Sequence, residues 1–265
     1  MSAPAMYFEN LVYERDGFIA TLTVNRPQVM NALDQKTLGE LHRAFFEFRH
    51  DQDARVLILT GAGDRAFVAG ADILAMTTMT QEQAEDFARL GQNLTAAIES
   101  VPKAVIAAVN GYALGGGCEL AMSCDFILAS ERARFGQPEV GLGLIPGFGG
   151  TQRLARVVGR AIAKQMIFTG DVIGAQRALE IGLANAVYPA DKLMETARAI
   201  ATQIAAKGPV AVGAAKRALN RGYDLTLEVG MEFESMLFGS MFKTDDMREG
   251  TRAFLEKRTP DFKGR

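Results

Sequence analysis

Two glutamates, Glu119 and Glu139, stand in surroundings that suit acid and base chemistry. Glu119 ends the stretch Asn-Gly-Tyr-Ala-Leu-Gly-Gly-Gly-Cys-Glu, residues 110–119, in which a strand should end and a helix should begin. Backbone N–H groups at a helix N-terminus favour negative charge, and Gly116 lacks a Cβ that would obstruct a ligand. Its N–H could therefore donate to a developing oxyanion. An ordinary acid in the first turn of a helix explains Glu119 equally well on this fragment alone.

Glu139 follows Pro138 within Phe-Gly-Gln-Pro-Glu-Val, residues 135–140, among glycine and apolar residues. Poor solvation of the ionised form raises the pKa of a carboxyl group, as a general acid requires. The competing interpretation is a structural glutamate that follows a proline at the first helical position. Only the combination of the two carboxylates discriminates between these interpretations.

Other catalytic and binding chemistries have little support. The two histidines, His42 and His50, lie in an expected amphipathic helix away from any Gly-rich turn, which disfavours a Ser-His-Asp or Cys-His nucleophile. Cys118 and Cys124 lie in an apolar stretch, where buried thiols are commoner than disulfides or metal ligands, so we predict no metal and a reducing compartment. Residues 61–66 match a dinucleotide-binding pattern only loosely, since no amphipathic helix is expected to follow.

The composition disfavours two further classes of partner. The formal net charge of −2 over 265 residues, without a dense run of Lys and Arg, argues against nucleic acid. Hydrophobic residues make up 48% of the chain, but the longest apolar runs, such as residues 56–59 and Ala104–Val109, are too short to span a bilayer, so we expect no membrane association. Residues 1–8 lack a targeting pattern. We therefore expect a cytoplasmic protein, unless a transit peptide has already been removed.

The elements that would position the glutamates alternate between strands and helices in the first half of the chain. Asp16-Gly17 predicts the turn of a β-hairpin between residues 7–15 and 18–24. Asp34 as a helix N-cap, and Thr80 with Gln83 as a capping box, predict the starts of two amphipathic helices. Buried strands are expected at residues 56–60, 104–109 and 125–129. This alternation predicts an α/β fold with crossover connections.

From about residue 151 onward the pattern is almost wholly helical. Helices are expected at residues 151–158, 161–168, 175–181 and 191–206 and, beyond a break at Lys207-Gly208-Pro209, at residues 210–223, 225–242 and 245–257. The last three need a partner surface to bury their apolar faces. We therefore divide the chain into a core, residues 1–206, and a C-terminal helical region, residues 207–265.

Taken together, the motifs resemble the enoyl-CoA hydratase/isomerase, or crotonase, superfamily, and within it the enoyl-CoA hydratases. The resemblance runs nearly end to end and rests on motifs in the right order: Asn25-Arg-Pro, Asn31-Ala-Leu33, Ala66-Phe-Val-Ala-Gly-Ala-Asp-Ile73, residues 110–120, Phe135-Gly-Gln-Pro-Glu139, Ile145-Pro-Gly-Phe-Gly-Gly-Thr-Gln-Arg153, Thr169-Gly-Asp171 and Glu256-Lys-Arg258. It implies a crotonase-like spiral of ββα units that ends in a helical region mediating trimerisation, with two trimers stacked as a hexamer.

The same resemblance implies an enoyl-CoA hydratase of fatty-acid β-oxidation type, which reversibly adds water across the 2,3 double bond of a 2-enoyl-CoA to give a 3-hydroxyacyl-CoA. No cofactor is expected, because coenzyme A is part of the substrate. Retention of both glutamates favours hydration over two alternatives. These are another acyl-CoA enzyme of this fold, such as an isomerase, thioester hydrolase or dehalogenase, and a non-catalytic CoA- or RNA-binding relative. Acyl-chain length, branching and pathway stay open.

The family pattern also implies roles for individual residues. The backbone N–H groups of Ala71 and Gly116 would form an oxyanion hole for the thioester oxygen, Glu119 would act on the water, and Glu139 would act on the α-carbon proton. Substrate- and CoA-binding positions are expected at Ala69, Gly70, Asp72, Ile73, Gly147, Phe238 and Lys257, the last two across a subunit boundary. Leu74 stands where many relatives carry Lys, which leaves one expected CoA phosphate contact unsupported.

Overall fold

The computed structural model describes residues 7–265 and contains two β-sheets and a series of α-helices. The strands are β1 Leu11–Asp16, β2 Ile19–Val24, β3 Val56–Gly61, β4 Ala66–Val68, β5 Ala104–Val109, β6 Tyr112–Leu114, β7 Phe126–Ser130, β8 Arg134–Gly136, β9 Val172–Gly174 and β10 Ala186–Tyr188. The helices are α1 Gln35–His50, α2 Ile73–Met76, α3 Gln81–Ser100, α4 Gly116–Met122, α5 Gly150–Val158, α6 Arg160–Thr169, α7 Ala175–Glu180, α8 Leu193–Ala205, α9 Pro209–Gly222, α10 Leu227–Met241 and α11 Asp245–Leu255. The prediction on targeting concerns residues 1–8, of which residues 1–6 lie outside the described residues.

The two sheets are built from pairs of consecutive strands. A six-stranded sheet has the order β1-β2-β3-β5-β7-β10 and is parallel except for the β1–β2 hairpin. A four-stranded sheet has the order β4-β6-β8-β9, with only β9 antiparallel to its neighbour. Each of β3, β5 and β7 lies in the first sheet, and the short strand that follows it lies in the second. Helical segments then follow each pair, so the chain advances as a spiral of ββα units and the predicted α/β class is confirmed.

Local signals in the sequence predict the first elements correctly. The hairpin forms as expected, but its two-residue turn is Gly17-Phe18, because Asp16 still pairs with Ile19, and β1 begins only at Leu11. Asp34 caps α1 by accepting the N–H of Thr37 at 2.7 Å. Thr80 and Gln83 form the expected capping box at the start of α3, with hydrogen bonds of 2.9 and 3.3 Å. These elements are predictable because each signal acts within a few residues of its partner.

The prediction of an almost wholly helical second half is wrong at two short strands, β9 and β10. Strand β9 pairs with β8, and β10 extends the six-stranded sheet beside β7. Each contains three residues, too few to show a period of its own. Their conformation comes from pairing with the free edge of an existing sheet, which is a tertiary contact.

The long parallel strands are buried on both faces. Along β3, Val56 and Ile58 face a cluster that includes the apolar stripe of α8, whereas Leu57 and Leu59 face the main core with α1 and α3. A strand covered on both sides reads as a continuous apolar run, which explains the sequence of residues 56–59. Helix α8 therefore belongs to the core of the spiral.

Helix α9, the first of the C-terminal helices, is anchored to the spiral. On α9, a Cβ at Gly213 would lie 2.5 Å from the carbonyl oxygen of Pro102, so helix and core are in close contact. Buried Lys216 donates to Asp125 at 3.0 Å and to the carbonyl of Ile98 at 3.1 Å. Helix α10, by contrast, packs on α9 and leaves many large apolar side chains exposed, including Leu227, Met231, Met236 and Phe238.

Candidate active site

A cavity of about 680 Å³ brings both glutamates together. It lies where the N-terminal end of α4 meets α3, the segment 69–73 and the loop 138–152. Glu119, Glu139, Ala71 and Gly116 all line it, although their positions in the chain span almost seventy residues. The lining is otherwise largely apolar.

Glu119 is held rigidly from one side. It lies in the first turn of α4 and is only 1% exposed. Its Oε1 accepts the backbone N–H of Phe148 at 2.8 Å and that of Gly150 at 2.5 Å. Within residues 7–265 no donor is bonded to its other oxygen, Oε2, so the carboxylate has one positioned oxygen and one available for a ligand.

The pKa of Glu119 lies near neutral pH. Burial raises its pKa to about 7, and the nearby negative charge of Glu139 adds to this effect. The N–H groups of Gly150 and Phe148 act in the opposite direction, because they stabilise the ionised form. A carboxyl group with this pKa exchanges protons readily near pH 7.

Glu139 lies in a 3₁₀ turn, Pro138–Leu142, directly after the proline. Burial raises its pKa, the direction expected from the apolar sequence around it. Gln137, which is fully buried, donates its amide to Oε1 at 3.0 Å and to Oε2 at 3.2 Å when its nitrogen faces the carboxylate. Gly115 passes so close that a Cβ there would lie 2.8 Å from Oε1. Gln137 belongs to the Phe135–Glu139 motif, but nothing in that motif indicates this contact.

Two residues that line the cavity, Ala71 and Gly116, have backbone N–H groups without a hydrogen-bond partner in residues 7–265. Leu33 pairs with the segment around Ala71 by donating to Gly70 O at 2.8 Å and accepting from Asp72 N at 2.9 Å. In such a parallel bridge the N–H of Ala71 faces away from Leu33. Gly116 is the first residue of α4, where no intrahelical acceptor exists. Both N–H groups are therefore free to donate to a ligand.

The Asn25-Arg-Pro and Asn31-Ala-Leu motifs hold this segment in place. Arg26 forms ion pairs with Asp34 at 3.1 Å and Asp72 at 3.5 Å and donates to the carbonyl of Ala32. Asn31, with a positive φ of 60°, accepts the N–H of Arg26 and donates to the carbonyl of Ala66 at 2.8 Å. The sequence patterns indicate no role for Arg26 or Asn31. Their contacts hold the backbone around residues 66–72, which includes Ala71.

The remaining predicted binding residues divide into two groups. Ala69, Gly70, Ile73 and Gly147 line the cavity, and Asp72 lies beside it in its ion pair with Arg26. Phe238 and Lys257 do not line it: Phe238 lies on α10 with its ring edge against Phe242, and Lys257 follows α11 with a φ of 55°. The structure of one chain thus leaves these two positions outside the cavity.

The backbone at residue 150 can approach Glu119 closely because that residue is glycine. Gly147 makes no such approach. A Cβ at Gly150 would lie 2.8 Å from Oε1 of Glu119, whereas a Cβ at Gly147 would meet only the Cβ of Ala88 at 3.8 Å. The carbonyl of Gly147 accepts the amide of Gln92 at 2.9 Å, which fixes the loop at the cavity wall.

Within residues 7–265, no group of three or more His, Cys, Asp or Glu side chains is arranged to hold a metal ion. In the same range, no helix is both long and apolar enough to cross a membrane.

Strand pairs and helices wound as a spiral, with two carboxylates and two free backbone N–H groups at one cavity, define a protein of the crotonase fold. The chain belongs to the enoyl-CoA hydratase/isomerase family, whose model matches residues 14–265. The resemblance seen in the sequence is thereby confirmed.

Individual relatives agree with this membership over nearly their whole length. The chain is 49% identical to a short-chain-enoyl-CoA hydratase of Clostridium acetobutylicum, over 96% of this chain and 97% of that one. It is also 49% identical to a crotonyl-CoA hydratase of Syntrophomonas wolfei, over 97% and 99% respectively. The crystal structure of an enoyl-CoA hydratase from Bacillus anthracis superposes with a TM-score of 0.94 at 41% identity, covering 97% of this chain and all of that one.

Proposed function

We propose that this protein is an enoyl-CoA hydratase that converts a 2-enoyl-CoA and water into a 3-hydroxyacyl-CoA, with no cofactor beyond the CoA of its substrate. The observation that carries the proposal is the convergence of Glu119 and Glu139 on one cavity beside the free N–H groups of Ala71 and Gly116. The names of the relatives from C. acetobutylicum and S. wolfei support the same reaction.

The oxyanion donors would act on the thioester. As water adds to C3, electron density moves through C2 to the thioester oxygen, which gains enolate character. The N–H groups of Ala71 and Gly116 would donate to that oxygen. A donor of this kind is worth about 3 kcal/mol of transition-state stabilisation when it is well placed.

The two carboxylates would divide the proton transfers. Oε2 of Glu119 would accept a proton from the attacking water, while Oε1 stays bonded to Phe148 and Gly150. Glu139 would deliver its proton to C2, so that one water is added in total and one proton remains on the carboxyl pair. Burial raises the pKa of both carboxyl groups, and the negative charge of Glu139 raises that of Glu119 further. The reaction would start from the form in which Glu119 is ionised and Glu139 holds the proton, and the N–H groups of Phe148 and Gly150 stabilise Glu119 in that form.

We also propose that the protein acts as a homo-oligomer, a hexamer built as a dimer of trimers, with residues 207–265 as the oligomerisation region. Phe238 is 67% exposed and Leu227 is 79% exposed in the single chain, which is more apolar surface than an isolated helix pair tolerates in water. Phe238 and Lys257 lie outside the cavity of their own chain and would complete the CoA site of a neighbour. The buried free thiols of Cys118 and Cys124 support a cytoplasmic location.

The experiment that tests the proposed reaction is a hydration assay with a panel of 2-enoyl-CoAs from short to long and aryl-substituted chains. Loss of the conjugated-thioester absorbance would be followed, and the 3-hydroxyacyl-CoA product identified by mass. Hydration of at least one member is expected. Movement of the double bond without water uptake would favour an isomerase, and free CoA as product would favour a thioester hydrolase.

A further inference from the structure

The ring of Phe148 fills a space that two glycines leave open. A Cβ at Gly91 of α3 would lie 2.1 Å from Cδ1 of the ring, and a Cβ at Gly116 of α4 would lie 3.0 Å from Cε2. One edge of the ring thus faces α3, and the opposite edge faces the residue that carries an oxyanion N–H. Phe87 packs against the same ring with centroids 5.4 Å apart, and Phe148 is only 5% exposed.

The backbone of Phe148 is held as firmly as its ring. Its N–H donates to Oε1 of Glu119 at 2.8 Å. Its carbonyl accepts from Arg153 Nη1 at 2.9 Å and from Thr95 Oγ1 at 3.2 Å. Arg153 is fixed in turn by two contacts with Glu99, at 2.6 and 2.8 Å.

These contacts come from one stripe of α3. Its members are spaced by four residues, the distance that places side chains on the same helix face: Phe87, Gly91, Thr95 and Glu99. Phe87 and Gly91 contact the ring, Thr95 contacts the carbonyl, and Glu99 contacts Arg153 on α5. Through Phe148, helix α3 is thereby connected to Glu119 and to Gly116.

We propose that Phe148 is a positioning residue for the reaction, seated so that its own N–H stays on Glu119 and the N–H of Gly116 stays on the substrate oxygen. This inference rests on the hydratase function proposed above. The absence of a side chain at Gly91 is needed for this role, because any larger residue at that position would displace the ring. Phe148 also lines the cavity, but the role proposed here is separate from substrate contact: the ring packs against Gly116, and the backbone N–H holds Glu119.

Gly91→Ala tests the proposal most directly. The added methyl group cannot coexist with the ring in its present place, so the loop that carries Phe148 must move. Displacements of about 1 Å at such a loop lower kcat by roughly ten- to a hundredfold. KM for the enoyl-CoA should change by less than about threefold, because the parts of the cavity wall formed by α3, α4 and residues 69–73 remain in place.

The pH dependence of kcat supplies a readout that a purely structural role would not move. Loss of the Phe148 N–H removes a donor to ionised Glu119, so the pKa of that carboxyl should rise further and the acid limb of the profile should shift to higher pH. The other charged groups near Glu119 are Glu139 on the 138–142 turn and Arg153 on α5, and both are unchanged in the variant.

Rescue and control variants isolate the contact. Phe148→Leu in the Gly91→Ala background makes room for the methyl group and should restore kcat above that of Gly91→Ala and return the acid limb toward its wild-type position. Gly39→Ala is the matched control, because Gly39 is an exposed glycine of α1 with nothing within 4 Å of the added Cβ. It should leave kcat and the profile unchanged.

Wild-type kcat in a folded Gly91→Ala protein would overturn the proposal, as would a double variant no more active than Gly91→Ala. Should Gly91→Ala not fold, Phe148→Leu alone carries the test: it must lower kcat and shift the acid limb, and an unshifted limb overturns the inference. If the wild-type protein hydrates no enoyl-CoA, the proposed function fails instead. The positioning role is then read from the carboxyl pKa of Glu119 by difference infrared titration against Glu119→Gln, where a Gly91→Ala pKa equal to that of the wild type counts against it.

Discussion

Glu119→Gln should produce an enzyme that is far less active and yet more stable at alkaline pH. Glutamine has nearly the same shape, and its carbonyl oxygen can still accept the N–H groups of Phe148 and Gly150. What it lacks is a base for the water. Removing a positioned acid or base lowers kcat by about a hundredfold or more, and binding of a CoA ester should change much less.

The gain in stability follows from the cost of burying a carboxylate. Burial raises the pKa of Glu119 from its ordinary 4.5 to about 7. Between these values the folded protein holds a proton that the unfolded chain has released, so wild-type stability falls as pH rises through this window. A pKa raised from 4.5 to about 7 corresponds to a loss of about 3 kcal/mol of stability above pH 7, which the neutral glutamine avoids.

The measurement is denaturant unfolding of both proteins at several pH values, alongside the hydration assay. The stability difference should be largest above pH 7 and should vanish as pH falls toward 4.5. Glu14→Gln, at an exposed carboxylate of β1, is the control and should change neither activity nor stability. Equal stability at all pH values would refute the burial argument, and near-wild-type hydration would refute the role of Glu119.

Further predictions concern the division of labour and the assembly. Glu119→Gln should retain some exchange of the α-protons of a saturated acyl-CoA with deuterated water, whereas Glu139→Gln should abolish it, as NMR would show; exchange that survives in Glu139→Gln would contradict the assignment. Sedimentation should show a hexamer, and a stable monomer at micromolar concentration would argue against it. Phe238→Ala should weaken CoA-ester binding by roughly tenfold with little change in melting temperature. Unchanged binding with a lowered melting temperature would indicate instead that Phe238 packs within its own chain.

The sequence alone allowed a correct prediction of the fold class and of most elements, because their signals are local. The Asp34 cap and the Thr80–Gln83 capping box act over three residues, and the buried strand Ala104–Val109 has the bounds expected from its apolar run. Glu119 was placed correctly in the first turn of a helix for the same reason. The local patterns missed all five three-residue strands, β4, β6, β8, β9 and β10, because each is too short to show a period and becomes a strand only by pairing with a neighbour.

The candidate site shows the same division between local signals and tertiary contacts. Sequence patterns identified Glu119, Glu139 and the Gly-rich turn, since a residue type and its immediate neighbours suffice to suggest an acid or a free N–H. The pKa of Glu119 near 7, the amide of Gln137 on Glu139 and the ring of Phe148 between two glycines came only from the folded structure. Desolvation, hydrogen bonding and packing depend on which distant segments come into contact. Here α3, α4 and the loop after Pro138 come into contact only in the folded protein.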